Sequence, residues 1–331
     1  MTVREDRIIA ADRDVLAGRR DDGRRSSRVR RAAVKLRRDR ALLLLAIPGL
    51  GILLLFQYVP LLGNVIAFEN YEPYFGILHS QWTGLSNFAL IFNGNPAFLD
   101  ALKNTLIITV LQVAFVFPVP IVLALLMNSL ISERLKRLVQ SILYLPHFLS
   151  WVVVVAIFQE MLGGSGLMND WLRSHGHATV NIIGNSGLFK EMIASQVIWK
   201  DSGWATILFL AALSQIDAAL YEAASVDGAG RWRQMRHITL PGLKPIAILL
   251  FILQLGNVLS TGFEQIILQQ GPVGINASEV LSTYVYHNGI LSGQWGESAA
   301  VGLVNGLVGV ALVLGANKVA HLFGEQGIYQ S

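Results

Sequence analysis

The chain lacks cysteine and has little charge, and each deficit excludes a class of protein. Without cysteine, neither a disulfide framework nor a thiolate metal site is possible. Charged residues make up 15% of the sequence, whereas a soluble domain carries about 25%. The sequence has neither the G-x-x-x-x-G-K-[ST] phosphate-binding loop nor the H-E-x-x-H zinc motif. We therefore expect no catalytic or metal-binding residue, and no ATP hydrolysis by this chain itself.

Apolar residues, at 53% of the sequence, are clustered in long blocks. A helix needs about 20 apolar residues to cross a bilayer. Six blocks meet this requirement, at roughly 41–62, 104–126, 140–162, 192–214, 243–267 and 298–320. We therefore predict an all-α, polytopic membrane protein with six transmembrane helices. Pro118 and Pro120 are expected to break the second span, and Pro146 the third.

Basic residues predict the orientation, because they are enriched on the cytoplasmic side of a membrane. With both termini in the cytoplasm, 22 Lys and Arg fall inside and three fall outside, while Lys200 lies within a span. The predicted topology is therefore N-in and C-in, with the loop between helices 4 and 5 in the cytoplasm.

The predicted organisation has four parts. Residues 1–40 hold 14 Lys and Arg against 7 Asp and Glu, so we expect a basic, mostly disordered cytoplasmic arm. The arm can act as a topology signal or bind anionic lipid, and no nucleic acid is expected because no recognition module follows. The first transmembrane helix and an outer loop occupy 41–103, a five-helix core 104–322, and a cytoplasmic tail 323–331.

The outer loop 63–103 is rich in aromatic residues, namely Tyr71, Tyr74, Trp82 and Phe88. Such residues suit a lipid–water interface, where the apolar ring and the polar edge are both satisfied. Two interpretations stay open, an interfacial anchor and a docking surface for an external protein.

The loop between spans four and five is polar and interrupted by glycines. Asp217 is expected to cap a short helix over 218–226, and Gly228 allows a bend after it. Asp227 is expected to cap a second short helix over 231–237, which Pro241 and Pro245 end. Because Trp232 and Met235 lie three residues apart, they share a face. Taken alone, this second helix could also lie on anionic lipid.

This loop resembles the signature of importer permeases of the ATP-binding cassette superfamily, in which Glu-Ala-Ala is followed by Gly and then by Ile-x-Leu-Pro. The matching positions are Glu222, Ala223, Ala224, Gly228, Ile238, Leu240 and Pro241. Asp227, Ala229 and Pro245 also fit the carbohydrate-importer version, and Met235 stands where that version often has Phe.

The similarity extends over roughly residues 45–330. Segments of the outer loop, including 70–73, 80–82 and 84–88, resemble permeases for aldouronates and related plant-polysaccharide oligosaccharides. Segments 104–106, 199–200, 203–204 and 210–213 do so as well.

The resemblance implies a translocation subunit in the bacterial cytoplasmic membrane. In that family the loop is a coupling helix that docks on an ATP-binding subunit, where Glu222 meets a basic partner, Ala223 and Ala224 allow close approach and Gly228 permits the bend. ATP and Mg²⁺ would be bound by that subunit, so this chain needs no cofactor. The implied partners are two ATP-binding subunits, a second and distinct permease chain, an external substrate-binding protein and membrane lipid.

Two other functions stay open at this point. A secondary transporter would need coupling-ion sites within the chain, and no internal repeat supports it. A non-transporting scaffold would use the loop only to hold a cytosolic protein.

Polar residues inside spans are candidates for a substrate path. The predicted path contains Trp199, Lys200, Asp201, Trp204, Gln254, Asn257 and Glu264. Sugar rings stack on aromatic faces, sugar hydroxyls bind charged or amide groups, and a lysine could neutralise a uronate. Each polar residue could instead make a structural hydrogen bond between helices, and Lys200 could simply pair with Asp201.

Overall fold

A computed structural model describes residues 40–130, 132–257, 259, 262–322, 324 and 327. The predicted basic arm therefore lies outside the described residues except for Arg40, as does most of the predicted tail 323–331. The chain divides into two compact units, Met1–Gly63 and Asn64–Ser331.

The described part of the first unit is helical. Helix α1 (Arg40–Leu53) is followed by a π-helical turn, Leu54–Tyr58. Its large apolar side chains, such as Leu45 and Phe56, are exposed. Apolar side chains of this kind along a long helix suit a segment that crosses a membrane.

The second unit opens with a small hairpin. A 3₁₀ helix, Val59–Phe68, begins in the first unit and leads into strand β1 (Glu69–Asn70), which pairs antiparallel with β2 (Gln81–Trp82). The Trp82 ring stacks on Phe68 at a centroid distance of 5.6 Å. A 3₁₀ turn, Ser86–Phe88, and the short helix α2 (Ala89–Phe92) follow.

The remaining helices form the bundle of the second unit. They are α3 (Pro96–Leu111), α4 (Pro118–Asn128), α5 (Glu133–Tyr144), α6 (Trp151–Leu162), α7 (Leu167–Ser174), α8 (Phe189–Leu213), α9 (Ala218–Val226), α10 (Arg231–Gln234), α11 (Leu240–Gly256), α12 (Phe263–Ile267), α13 (Gln270–Val273), α14 (Ile275–Ser278), α15 (Leu281–Val285) and α16 (Trp295–Leu322). Further π-helical turns occur at Gln112–Val116, Met235–Thr239 and Tyr286–Leu291, and a 3₁₀ turn at Leu145–Phe148.

Five helical segments of the described chain are long and apolar enough to cross a membrane: Leu44–Phe68, Pro96–Asn128, Trp151–Ser174, Arg231–Gly256 and Trp295–Leu322. Helices α8 and α9, bent by 69°, make a sixth if the pair is counted as one span. The helical class and the approximate number of spans are as predicted, and the N-in, C-in orientation stays a prediction.

The predicted break of the second span at Pro118 and Pro120 is wrong. Pro96–Asn128 is one span-length helical segment, although its α-helical part stops at Leu111 and resumes at Pro118. The π-helical turn Gln112–Val116 precedes Pro118, and Phe117 N donates to Gln112 O at 3.0 Å. This wider turn accommodates the proline, which cannot donate a backbone hydrogen bond.

The third and fifth spans differ from their predicted limits. The predicted third span, 140–162, is interrupted at Leu145–Phe148, and the apolar segment long enough to span begins at Trp151. Pro146 lies in this turn, as its predicted break requires, and the Ser150 hydroxyl caps the new helix. The predicted fifth span, 243–267, starts too late and ends too late, because the helix runs over Arg231–Gly256.

Within the described residues, three apolar clusters hold the second unit together. One joins Phe98 to Tyr284 and Val301, and a second joins Ile108 to Ile193 and Ile266. The third joins α4, α8 and α11 through Ala124, Phe209, Leu213 and Leu243. The last cluster fixes the end of α8 from which the polar loop leaves the bundle.

A buried amide network connects α8 to the segment after α11. Gln196 Nε2 donates to Gln269 Oε1 at 2.9 Å, and Gln265 Nε2 donates to Gln196 Oε1 at 2.8 Å. All three side chains are buried. The connection between the last two spans is therefore folded against the bundle rather than left as a loose loop.

Candidate functional site

Helix α9 carries the Glu-Ala-Ala segment on an exposed surface. Its first turn is capped by Asp217, whose carboxylate accepts from Ala219 N at 2.9 Å, as predicted. Glu222 and Ala223 are exposed, and Ala224 is half-buried. No ion pair or hydrogen bond of the Glu222 side chain occurs within the described residues. The carboxylate is therefore available to a group outside the chain.

A glycine turn ends α9. Gly228 has a φ of +74°, in the left-handed region that favours glycine. Ala229 N donates to Ala224 O at 2.8 Å, and Gly228 N donates to Ser225 O at 3.1 Å. These two bonds are the pattern of a helix that ends with glycine in the left-handed conformation. The predicted bend at Gly228 is confirmed.

Three side-chain hydrogen bonds brace the loop against the helix that follows it. Gln234 Nε2 donates to Ser225 Oγ at 2.8 Å and to Ala229 O at 3.1 Å. The Tyr221 and Thr239 hydroxyls are hydrogen-bonded at 3.0 Å. The helix, its glycine turn and the start of the next helix therefore form one braced unit.

Two details of the predicted loop are wrong. The second helix is capped by Gly230, whereas Asp227 ends α9. This helix also continues through Pro241 and Pro245 into the fifth span, because the π-helical turn Met235–Thr239 precedes Pro241. The loop is thereby joined to a membrane-spanning helix without a flexible break.

The signature residues after the turn lie on this continuous helix. Ile238 is half-buried, while Leu240 and Pro241 are exposed. Trp232 and Met235 line one cleft, as their predicted shared face requires. The cleft has a volume of about 470 Å³ and is also lined by Leu125, Ser129, Tyr221 and Arg231. It places the end of α4 beside the Glu-Ala-Ala loop.

A second polar cluster lies where the third span is interrupted. His147 Nδ1 is 2.9 Å from Asp201 Oδ1, and the His147 ring is parallel to the Trp204 ring at a centroid distance of 4.7 Å. Phe148 meets Trp204 edge-on at 5.9 Å and is itself exposed. A half-exposed carboxylate, an imidazole and two aromatic rings are thus brought together.

Lys200 supports this cluster from the buried side. Its ammonium donates to His147 O at 2.7 Å and to Leu149 O at 2.8 Å. It also lies over the Trp151 ring at 5.5 Å, and Asp201 Oδ1 is 4.0 Å away. The interrupted helix leaves carbonyls that need donors, and Lys200 supplies them.

The other predicted path residues are not joined to this cluster by any hydrogen bond of the described chain. Trp199 meets Phe158 edge-on at 5.8 Å and points to another side of α8. Gln254 is half-buried, while Asn257 and Glu264 are exposed at or beyond the end of α11. The predicted path therefore stays a prediction, and the structure joins only part of it.

Sequence reasoning missed His147 and Phe148 as members of the cluster. The available signal was Pro146, which interrupts the span and lets the residues after it turn toward α8. It also missed Gln265 and Gln269, because their contact with Gln196 joins residues about 70 positions apart in the chain.

The connection before the last span contains a further buried polar group. Glu279 Oε1 is 2.8 Å from His287 Nδ1. Burial raises the pKa of the Tyr284 phenol, and the nearby carboxylates of Glu297 and Glu279 raise it further. Tyr284 is therefore neutral at physiological pH.

Apolar membrane-spanning helices that carry a braced, exposed Glu-Ala-Ala helix and glycine turn define a membrane permease of the ATP-binding cassette class. The family described as binding-protein-dependent transport system inner membrane component matches residues 116–323. The chain belongs to this family, and it is a multi-pass protein of the bacterial inner membrane.

Two Bacillus subtilis proteins cover nearly the whole chain. The polygalacturonan/rhamnogalacturonan transport system permease protein YteP is 44% identical over 91% of this chain and 94% of its own. Protein LplB is 43% identical over 89% of this chain and 92% of its own.

The fold also matches solved structures. A bacterial ABC transporter that imports the acidic polysaccharide alginate contains a chain that is 36% identical, with a TM-score of 0.80. The match covers 88% of this chain and 98% of that chain. A second structure is the bacterial alginate ABC transporter in complex with an alginate pentasaccharide-bound periplasmic protein. The matching chain is 35% identical, with a TM-score of 0.81, and the match covers 89% of this chain and 98% of that chain.

Proposed function

We propose that this chain is the translocation subunit of an ATP-driven importer for acidic oligosaccharides released from polysaccharides. The observation that carries the proposal is the braced, exposed α9 loop on a chain whose relatives include polygalacturonan and alginate permeases. Polygalacturonan and alginate share uronic acid units, which makes an acidic oligosaccharide the common substrate class.

In this proposal α9 transmits force from a separate ATP-binding subunit. Glu222 forms an ion pair with that subunit, and the small Ala223 allows the two backbones to approach. Because Gln234 ties α9 to the helix that becomes the fifth span, a push on α9 moves that span as well. Two ATP-binding subunits, a second and distinct permease chain and an external binding protein complete the importer.

The cluster around Asp201 and Trp204 is the part of the predicted path that the geometry favours. An ionisable side chain within a span faces protein or water rather than lipid. Asp201 is half-exposed in the isolated chain, so its face of α8 meets either the second permease or an aqueous path. Trp204 and His147 then offer a ring face and a fixed hydrogen-bonding edge to a sugar.

We assign Lys200 to support rather than to recognition of the sugar's charge. Its ammonium is buried and already donates to two backbone carbonyls. It holds the turn that carries His147. The charged groups of the substrate are then bound by other residues along the path or by the external binding protein.

The test is ATP hydrolysis by the transporter purified through a tag on this chain and reconstituted in liposomes. We expect an ATP-hydrolysing polypeptide to co-purify, and its rate to rise when the binding protein loaded with oligogalacturonate is added. Glu222→Lys should abolish the rise, because a buried interfacial charge pair costs about 2–5 kcal/mol to break.

Two results would reject the proposal. Uptake that proceeds without any ATP-hydrolysing partner would indicate a secondary transporter. Co-purification of a cytosolic protein without stimulated ATP hydrolysis or uptake would indicate a scaffold.

A further inference from the structure

The cleft beside α9 is lined by groups typical of a small-molecule binding site. It lies between the end of α4, Tyr221 of α9 and the helix that begins at Arg231. Its volume of about 470 Å³ falls within the range of ligand sites, ~300–1,000 Å³. Most of its polar lining residues are uncharged, namely Asn128, Ser129, Tyr221, Gln234 and Thr239. This lining suits a ligand that carries several hydrogen-bonding groups.

One charged side chain lines the cleft among the described residues, and it is a cation. Arg231 is exposed, and its guanidinium forms no ion pair or hydrogen bond with any described residue. The neighbouring Arg233 and Arg236 do not line the cleft. A guanidinium binds a carboxylate through two parallel hydrogen bonds. The charge of the lining therefore matches a ligand with one carboxylate, rather than a nucleotide with several phosphate charges.

Trp232 gives the cleft an aromatic wall, and two amide groups beside it are available for hydrogen bonding. Trp232 is 71% exposed. One face of a sugar ring carries C–H groups that pack on an aromatic ring, while the hydroxyls need polar partners. Asn128 has no side-chain hydrogen bond within the described chain, and Gln234 uses only its amide nitrogen. An aromatic face, free amide groups and one cation are together the chemistry that recognises a uronate sugar.

The cleft is separate from the Glu-Ala-Ala surface of α9. Tyr221 lines the cleft and is half-buried, with its hydroxyl bonded to that of Thr239 at 3.0 Å. Glu222 and Ala223 are exposed and do not line it, because successive residues of a helix point about 100° apart. A subunit that binds the Glu-Ala-Ala surface therefore leaves the cleft open on another face of α9.

We propose that this cleft binds a uronate sugar on the cytoplasmic side of the membrane, where the transported oligosaccharide is released. Arg231 binds the carboxylate, Trp232 packs on the face of the ring, and Asn128 and Gln234 bind hydroxyls. This assignment rests on the proposed function, which supplies both the side of the membrane and the class of sugar.

A sugar in the cleft contacts three elements at once. The cleft is formed by the end of the second span, by α9 and by the start of the fifth span. A ligand shifts a conformational equilibrium by its difference in affinity for the two states. A sugar that fits this spacing therefore favours the present arrangement and opposes movements of α9 that change the cleft. We expect accumulated product to slow ATP hydrolysis and further uptake in this way.

Liposomes that keep the two faces of the transporter apart test this proposal. The loaded binding protein is enclosed in the lumen and ATP is added outside, so only transporters whose ATP-binding subunits face outward are active. Digalacturonate added outside then reaches the cytoplasmic face alone. We expect it to lower the rate of ATP hydrolysis in a saturable manner. The neutral digalactose should require about a tenfold higher concentration, the effect of one lost charge-assisted hydrogen bond.

Substitutions at the start of α10 connect the effect to the cleft. Arg231→Gln should raise the half-inhibitory concentration of digalacturonate by about tenfold and leave the rate without sugar unchanged. Arg233→Gln is the matched control, because it removes the same charge from the same helix outside the cleft. Trp232→Phe should retain the inhibition, and Trp232→Ala should weaken it for the acidic and the neutral sugar alike.

Three outcomes would overturn the proposal. Normal stimulation by the loaded binding protein, with no effect of external digalacturonate, would leave the proposed function intact and the cleft without a sugar. Inhibition that is unchanged in both Arg231→Gln and Trp232→Ala would place the bound sugar elsewhere. Inhibition that occurs in phosphatidylcholine liposomes but is abolished by added phosphatidylglycerol would assign the cleft to a lipid headgroup.

Discussion

Gly228 and Gly230 are two residues apart in the loop after α9 but have different backbone requirements. A Cβ at either position would meet no heavy atom within 4 Å. Only Gly228 has a positive φ, of +74°. A comparison of the two therefore isolates backbone conformation from steric fit.

We expect Gly228→Ala to weaken the loop by about 1–2 kcal/mol, the cost of a left-handed conformation for a residue with a Cβ. Gly230→Ala should be near neutral and serves as the matched control. The measurement is the rate of ATP hydrolysis in the presence of the loaded binding protein, divided by the amount of assembled transporter. Equal behaviour of the two variants would show that the turn's geometry does not matter for coupling.

Lys200 could either support the turn at His147 or recognise the charge of the substrate, and one substitution distinguishes the two roles. Lys200→Met leaves the carbonyls of His147 and Leu149 without their donor, and each costs about 1–3 kcal/mol if it stays buried. We expect a lower unfolding temperature and an equal loss of uptake for acidic and neutral oligosaccharides. Lys103→Met, at an exposed lysine, should leave both unchanged.

A selective loss of acidic substrate by Lys200→Met, at normal stability, would instead favour charge recognition. Lys200→Arg tests whether the charge of Lys200 alone is sufficient. It retains the charge but changes the geometry of the donors, so partial loss of stability is expected with no shift in substrate preference.

Much of the conformation of the loop around α9 was predictable at this scale because its signals are local. Asp217 and Gly228 act on neighbours in the chain, and the structure confirms both. Gln234 was not singled out, because its bond to Ser225 spans the turn and depends on how the two helices close.

At the scale of the element, proline was the least reliable signal. Pro118 and Pro241 were both expected to end helices, yet each follows a π-helical turn that lets the helix continue. Pro146 does interrupt its span, because a 3₁₀ turn replaces the helix there. Sequence alone does not specify which adjustment the backbone makes, since neighbouring helices decide it.

The contact between α5 and α8 depends on the absence of a side chain at Gly203. A Cβ there would overlap the Leu143 carbonyl, which is backbone and cannot move aside alone. We expect Gly203→Ala to separate the two helices and to lower the unfolding temperature of the purified transporter. The shift should exceed that of any exposed Gly→Ala change.

Gly302→Ala is the matched control, because it lies within α16 and has no heavy atom within 4 Å of its Cβ. Replacement of glycine by alanine in a helix stabilises it by about 0.5–1 kcal/mol where space allows. A Gly203→Ala protein as stable as the Gly302→Ala protein would contradict the close packing of α5 on α8.

At the scale of the whole molecule, composition and basic-residue distribution were enough to predict a polytopic helical membrane protein. They could not give the limits of the third and fifth spans, because Pro146 and the helical loop at 231–239 shift them. They also could not show that the connection after α11 is folded. Its Gln196–Gln265 contact forms only when distant segments pack together.

The central claim is that a separate ATP-hydrolysing subunit binds α9. Val226 is 89% exposed at the end of α9, and Tyr74 is 99% exposed between strands β1 and β2, in the loop predicted to lie outside. Because the chain has no cysteine, single cysteines at these positions can be crosslinked without background. Crosslinking in native membranes, followed by identification of the attached polypeptide, is the most direct measurement.

We predict that Val226→Cys crosslinks to a polypeptide that hydrolyses ATP, and that ATP binding changes the yield. Tyr74→Cys should never reach that polypeptide. An α9 that crosslinks to no ATP-hydrolysing protein from any position, in a transporter that still takes up oligosaccharide, would contradict the account.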